Sequence, residues 1–153
     1  THQLVRHRIA SFNQQSQRYV RFSDGVATVK PESVAASEEA SAVFDRAIDA
    51  AVEAYGKLLE AGVPAEDARY LLPNAAETKI VITMNVRELL HFFRLRCCNR
   101  AQWEIRDMAH RMLELARPTA PFIFLDAGAP CVGGACPEGK MACGNPYPRV
   151  TRG

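Results

Sequence analysis

The sequence predicts an α+β chain in which helices pack on a small antiparallel sheet. Three observations predict it. Phe44, Ile48, Ala51, Val52, Tyr55, Leu58 and Leu59 recur at steps of three and four, the period of one helical face. Residues 78–84 form a run rich in β-branched side chains, which suits a strand. Residues 18–22 and 27–30 have strand character, and Ser23, Asp24 and Gly25 between them are turn formers, as in a hairpin. At 153 residues and 48% hydrophobic content, a single domain over 1–153 with a sizeable core is expected.

The elements follow in order. A helix entering at Thr1 should stop near Arg8, because residues 9–16 are rich in Ser, Asn and Gln, which compete with helical hydrogen bonding. The chain opens without methionine or cap, which suggests that an N-terminal part is missing. After the hairpin, Pro31 breaks the strand. Ser37 is suited to cap a helix that starts with Glu38 and Glu39 and ends at Gly62. Its apolar face is core scaffold, and Asp45, Asp49, Glu53 and Lys57 form a solvated face. Pro64 opens a short helix over 65–70 that carries Arg69. Asn85 can cap a helix from Val86 to about Leu95. Another runs from about Ala101 to Arg117, with Trp103, Ile105, Met108, Met112 and Leu115 on its apolar side. Residues 125–153, rich in Gly, Pro and Cys, lack periodicity and read as an irregular tail.

The chemistry concentrates at the start. Arg6, His7 and Arg8 are adjacent, with Ser11, Asn13, Ser16 and Arg18 close behind. Arginines this close repel unless an anion lies between them. Their planar forks suit phosphate and carboxylate, and serine hydroxyls with backbone N–H groups complete such a cradle. A phosphorylated small molecule is the expected ligand. The net charge of +2 gives no general attraction to nucleic acid or membrane, so the local cluster outweighs the total. In the second half, Arg87 and His91 lie four apart on one helical face, with Leu89, Leu90, Phe92 and Phe93 anchoring the other side. Arg96 lies roughly 140° round from His91 at 100° per residue, so it can face a different ligand. His7 between two arginines should be disfavoured in its charged form.

Arg6, His7, Arg8, Ser11, Asn13, Ser16 and Arg18 spell Arg-His-Arg-x-x-Ser-x-Asn-x-x-Ser-x-Arg. This pattern resembles the signature of the flavin-dependent thymidylate synthases. Residues 68–73 and 85–96 are similar to two further segments of that family. The resemblance covers essentially all of this chain and about the C-terminal two-thirds of the family's fold. It implies an oligomeric α+β enzyme, a homotetramer with shared active sites, that makes dTMP from dUMP. Methylenetetrahydrofolate would be the carbon donor and NADPH-reduced FAD the hydride source. It implies that Arg6, His7, Arg8, Gln14, Asn85, Arg87 and His91 hold FAD. Gln3, Arg6, Gln14, Gln15, Ser16, Gln17, Arg18, Arg69 and Arg96 would hold dUMP, and Arg96 would be the catalytic cation at the uracil ring. Family members often carry asparagine at the position of His91 and some carry glutamate at that of Gln14, so these two roles are altered here.

Two other readings stand beside the enzyme. A nucleotide- or RNA-binding module would use the same arginines, although aromatics do not interleave with them as a stacking platform needs. A zinc-stabilised interaction domain would use Cys131, Cys136 and Cys143 with Cys97 or Cys98; free thiols in a reducing cytosol are the alternative. No apolar run reaches membrane-spanning length and no signal-peptide pattern opens the chain, so a cytoplasmic protein without membrane or nucleic-acid partners is expected.

Overall fold

The computed structural model describes residues 1–19 and 25–148. The chain forms two compact units, one of residues 1–12 with the chain from 82 onward, the other of residues 13–81.

In the second of these, α1 (Glu32–Ala35) leads into the long α2 (Glu38–Glu60). Ser37 caps α2 as expected, its side chain accepting from the Ala40 N–H at 3.3 Å. Gly62 follows the helix at φ +82°, a left-handed conformation that most side chains resist. α2 packs against α1, against α3 (Ala65–Ala68) and against the 3-10 turn Arg69–Leu71. The predicted apolar face of α2 is the one covered: Tyr55 is buried, and Phe44, Ile48, Ala51, Val52, Leu58 and Leu59 are half-buried. Asp45, Asp49, Glu53 and Lys57 are exposed, the last two as a surface ion pair one helical turn apart.

The other unit is built on α4 (Val86–Arg96) and α5 (Trp103–Ala116), which pack together. Phe92 and Phe93 on α4 are fully buried and stack edge-on, 5.8 Å between ring centroids. Phe124 of α6 (Pro121–Phe124) meets Phe93 at 6.1 Å. α5 turns Ile105, Ala109 and Leu113 inward, a spacing of four. Leu115, expected on the apolar side, is instead 76% exposed, because the buried stripe lies one third of a turn away.

β1 (Ala10–Gln14) and β2 (Ile80–Met84) form a two-stranded antiparallel sheet. Just beyond the strand ends, the Gln15 N–H donates to the Lys79 carbonyl at 2.8 Å. β2 alternates half-buried Ile80, Ile82 and Met84 with exposed Val81 and Thr83.

Several sequence expectations need correction. The opening helix is only a 3-10 turn, Leu4–Arg6, which ends where His7 leaves helical geometry. Residues 10–14, expected in a loop, are strand β1: pairing with β2 satisfies the backbone of a segment whose local propensity argued otherwise. The predicted strand over 27–30 reduces to a single bridge from Thr28 to Ala76, so this segment pairs with the chain before β2. The other arm of the expected hairpin begins as a turn at residues 17–19, and residues 20–24 lie outside those described.

As far as residue 148 the tail contains α7 (Pro130–Gly133) and a 3-10 turn, Gly139–Met141, joined by irregular chain. Side chains from the α4–α5 junction and α5 hold it. Asn99 donates to the Asn145 carbonyl at 2.7 Å, and Arg100 to the Met141 carbonyl at 2.6 Å. The Tyr147 hydroxyl donates to Asn99 Oδ1 at 2.7 Å and lies 3.1 Å from His110 Nε2.

Candidate functional site

Within the unit that contains α4, a polar chain runs Asn85, Glu88, His7, Arg96. Asn85 caps α4, its side-chain oxygen accepting from the Glu88 N–H at 2.9 Å. A Glu in the third position after a cap often bonds back to the capping residue. Here Glu88 Oε1 lies 3.1 Å from His7 Nδ1 instead, and both residues are buried. On the other side of the ring, Arg96 Nε donates to His7 Nε2 at 3.1 Å. Arg96 Nη2 also donates to the Gln3 carbonyl at 2.9 Å.

These bonds determine the state of His7. Arginine has only donors, so His7 Nε2 must present a lone pair. The proton therefore sits on Nδ1 and is donated to Glu88. The imidazole is neutral, and burial holds its pKa below the ordinary value; Glu88 opposes that shift and Arg96 reinforces it. The neutral His7 expected from sequence is thus found, but the main cause is burial, and the cation that adds to it is Arg96. Burial also lowers the pKa of the Arg96 guanidinium.

A pH dependence follows from His7. In acid the unfolded chain takes up the proton first, near pH 6.5, and the folded chain takes it up only at lower pH. This group's contribution should be complete above about pH 6.5 and be lost as pH falls through the folded pKa. Thermal unfolding of wild type and His7→Gln between pH 8 and pH 5 checks it: the wild type should lose more stability over that range than the variant.

Arg6, Arg8, Asn85, Arg87 and His91 are exposed. Among the described residues, no ion-pair partner is seen for Arg6, Arg8 or Arg87. Such unneutralised guanidinium groups suit a polyanionic ligand. The His91 ring meets His7 edge-on at 5.7 Å between centroids, and Phe92 meets it at 5.0 Å. His7 itself, expected to touch flavin, has both ring nitrogens engaged within the chain.

The second unit holds Gln14 to Arg18 and Arg69. Gln14 Nε2 donates to Thr78 Oγ1 at 3.2 Å. Gln15, Ser16 and Gln17 are half-buried, and Ser16 Oγ accepts from the Arg18 N–H at 3.2 Å. Arg18 donates through Nε and Nη2 to Glu66 Oε2, at 3.0 and 2.8 Å. Arg69 Nε donates to the Glu66 carbonyl at 3.0 Å. The fold therefore brings Arg18 and Arg69 to the same residue, Glu66, in the first turn of α3. An incoming phosphate would compete with an exposed carboxylate here, a modest barrier for a solvated pair. Arg18 lies 5.5 Å from the Tyr19 ring and Arg69 5.9 Å from that of Tyr70, and both tyrosines are exposed. An aromatic ring thus accompanies each of these two arginines, in each case from the next residue in the chain.

The cysteines are all free thiols. Cys97 is fully buried, and burial pushes its thiol up to about 12. Cys98, Cys131, Cys136 and Cys143 line one cavity of about 120 Å³. Among the described residues no three His, Cys, Asp or Glu side chains are grouped so as to hold a metal.

Fold and site together define an α+β protein with exposed arginines that have no ion-pair partner among the described residues, and with one arginine held in place by a buried histidine. The family model for "thymidylate synthase complementing protein", Thy1, matches residues 1–122, and the chain belongs to this family. It is similar to a flavin-dependent thymidylate synthase of Geobacter sulfurreducens, with 62% identity over 145 residues covering 94% of this chain and 62% of that protein. It is 47% identical over 160 residues to one of Clostridium tetani, covering 94% of this chain and 64% of that protein. It is 48% identical over 149 residues to one of Thermococcus onnurineus, covering 92% and 61%. The chain therefore spans between 61% and 64% of the length of these relatives. Among the described residues, no helix is long and apolar enough to cross a membrane.

Proposed function

We propose that the protein is a flavin-dependent thymidylate synthase that converts dUMP to dTMP with methylenetetrahydrofolate as carbon donor and NADPH as reductant of FAD. The relatives' printed names support the class. The observation that carries the site reading is Arg96, a guanidinium seated by His7 Nε2 and the Gln3 carbonyl.

The residues present fit the cofactor by their donor chemistry. Exposed Arg6, Arg8 and Arg87 offer charged forks for a dinucleotide's diphosphate, and His91 and Asn85 offer further polar groups on α4. When bound, reduced FAD would supply the hydride that the reaction requires. Gln3, Gln14, Gln15, Ser16, Gln17, Arg18 and Arg69 are the proposed dUMP set, with the two arginines taking the phosphate. Arg96 would lie against the pyrimidine, where its fixed positive charge stabilises the negative charge that develops on the ring. Arginine suits this role because it stays protonated even when partly buried. Ser16 is not proposed as a nucleophile: its hydroxyl accepts from a backbone N–H, and among the described residues no base is seen hydrogen-bonded to it. A cytoplasmic homotetramer that shares its active sites, with no nucleic-acid partner, completes the proposal.

The test is the visible spectrum of the purified protein after mixing with FAD and desalting, then after NADPH and dUMP. Retained flavin absorbance that bleaches with NADPH, followed by dTMP formation on adding methylenetetrahydrofolate, is the expected result. A protein that binds dUMP but neither retains flavin nor forms dTMP would overturn the enzyme reading in favour of a nucleotide-binding module.

A further inference from the structure

We propose that Glu88 is a positioning residue for Arg96 and acts through the tautomer of His7. The proposal rests on the function proposed for Arg96, but its physical core concerns only this chain.

Glu88 and Arg96 lie on the same helix, in the first and last turns of α4. They do not need to touch. His7, from the segment before β1, bridges them with one ring nitrogen each, at 3.1 Å on both sides. Free imidazole exchanges its proton between the two nitrogens, and only one arrangement serves Arg96. With the proton on Nε2, two N–H groups would face each other across 3.1 Å and the arginine would be pushed from its seat. A carboxylate at Nδ1 rewards the other tautomer, because only a protonated Nδ1 can donate to it. Glu88 is well placed for this. It is buried with His7, so its preference is little diluted by water. Its backbone is fixed by the Asn85 cap. The sequence gives no hint of the link, since 81 residues separate Glu88 from His7.

The role differs from simple structural support in what it makes testable. A leucine at position 88 fills similar space but accepts no proton, whereas glutamine keeps an acceptor oxygen at that place. Glu88→Leu should release the tautomer preference and Glu88→Gln should retain it. With Arg96 misplaced, turnover in Glu88→Leu should fall by about 10- to 100-fold, as small displacements of positioned groups do. Glu88→Gln should stay within a few-fold of wild type.

The experiment is a long-range proton–nitrogen spectrum of protein labelled with ¹⁵N-histidine at pH 8. The His7 signals are assigned by replacing His2, His91 and His110 in turn. The expected wild-type result is an imidazole protonated at Nδ1 alone, with the same pattern in Glu88→Gln and an added Nε2-protonated population in Glu88→Leu. A wild-type His7 protonated at Nε2, or on both nitrogens, overturns the proposal without any variant having to fold. So does a Glu88→Leu protein whose His7 spectrum and turnover match wild type. If the spectra behave as expected and no dTMP forms in wild type, the proposed function fails while the coupling of Glu88 to Arg96 stands.

Discussion

Arg96→Lys should lower dTMP formation by about 10²- to 10³-fold, the usual cost of removing one well-placed charge donor from a reacting oxygen or ring. The substitution keeps the positive charge and removes the geometry. Arg96 uses Nε on His7 and Nη2 on the Gln3 carbonyl, which fixes the plane of the guanidinium. A lysine ammonium is a point charge on a flexible stem and cannot satisfy two fixed acceptors while presenting a flat edge to a ligand. The flavin spectrum of the variant should match wild type, because Arg6, Arg8 and Arg87 are untouched. Steady-state dTMP formation with parallel flavin absorbance separates the two effects. Activity within a few-fold of wild type would mean that Arg96 is not the group acting on the pyrimidine.

Phe92→Ala should destabilise the protein by about 3–5 kcal/mol, the usual range for deleting a buried aromatic ring. Phe92 is fully buried and makes edge contacts with both His7 and Phe93. Loss of the ring opens a cavity at the point where the segment before β1 meets α4. Phe92→Leu leaves a smaller void and should cost less. Urea unfolding measures both, and the order alanine below leucine below wild type is expected. A leucine variant less stable than the alanine one would mean that shape complementarity, and not cavity size, dominates at this position.

How much of this was legible in the sequence depends on the range of the interaction. The cap at Ser37, the stop at Gly62 and the helix begun at Asn85 are local devices, written within four residues of where they act. β1 was not legible, because Ser11, Asn13 and Gln14 have no strand propensity of their own and the strand exists only through β2. The bridge of Thr28 to Ala76 was missed for the same reason, since its partner lies 48 residues further along the chain. In the candidate site, the exposed arginines were readable from the motif alone. Glu88 and Glu66 were not. Each stands in the first turn of a helix, and each is the carboxylate against which a site residue rests.

The irregular tail carries one more consequence. Its order comes from four side chains outside it or at its far end, and Asn99 and Tyr147 take part in two bonds each. Such a segment works like a flap held by several separate stitches. Loss of the Tyr147 hydroxyl alone leaves the bonds of Arg100 to Met141 and of Asn99 to Asn145 in place, so the amides next to Tyr147 should open before those around Met141. A protease that samples the native protein would then cut this stretch at rates that fall from residue 147 back toward Met141, each set by the stitches that must open first.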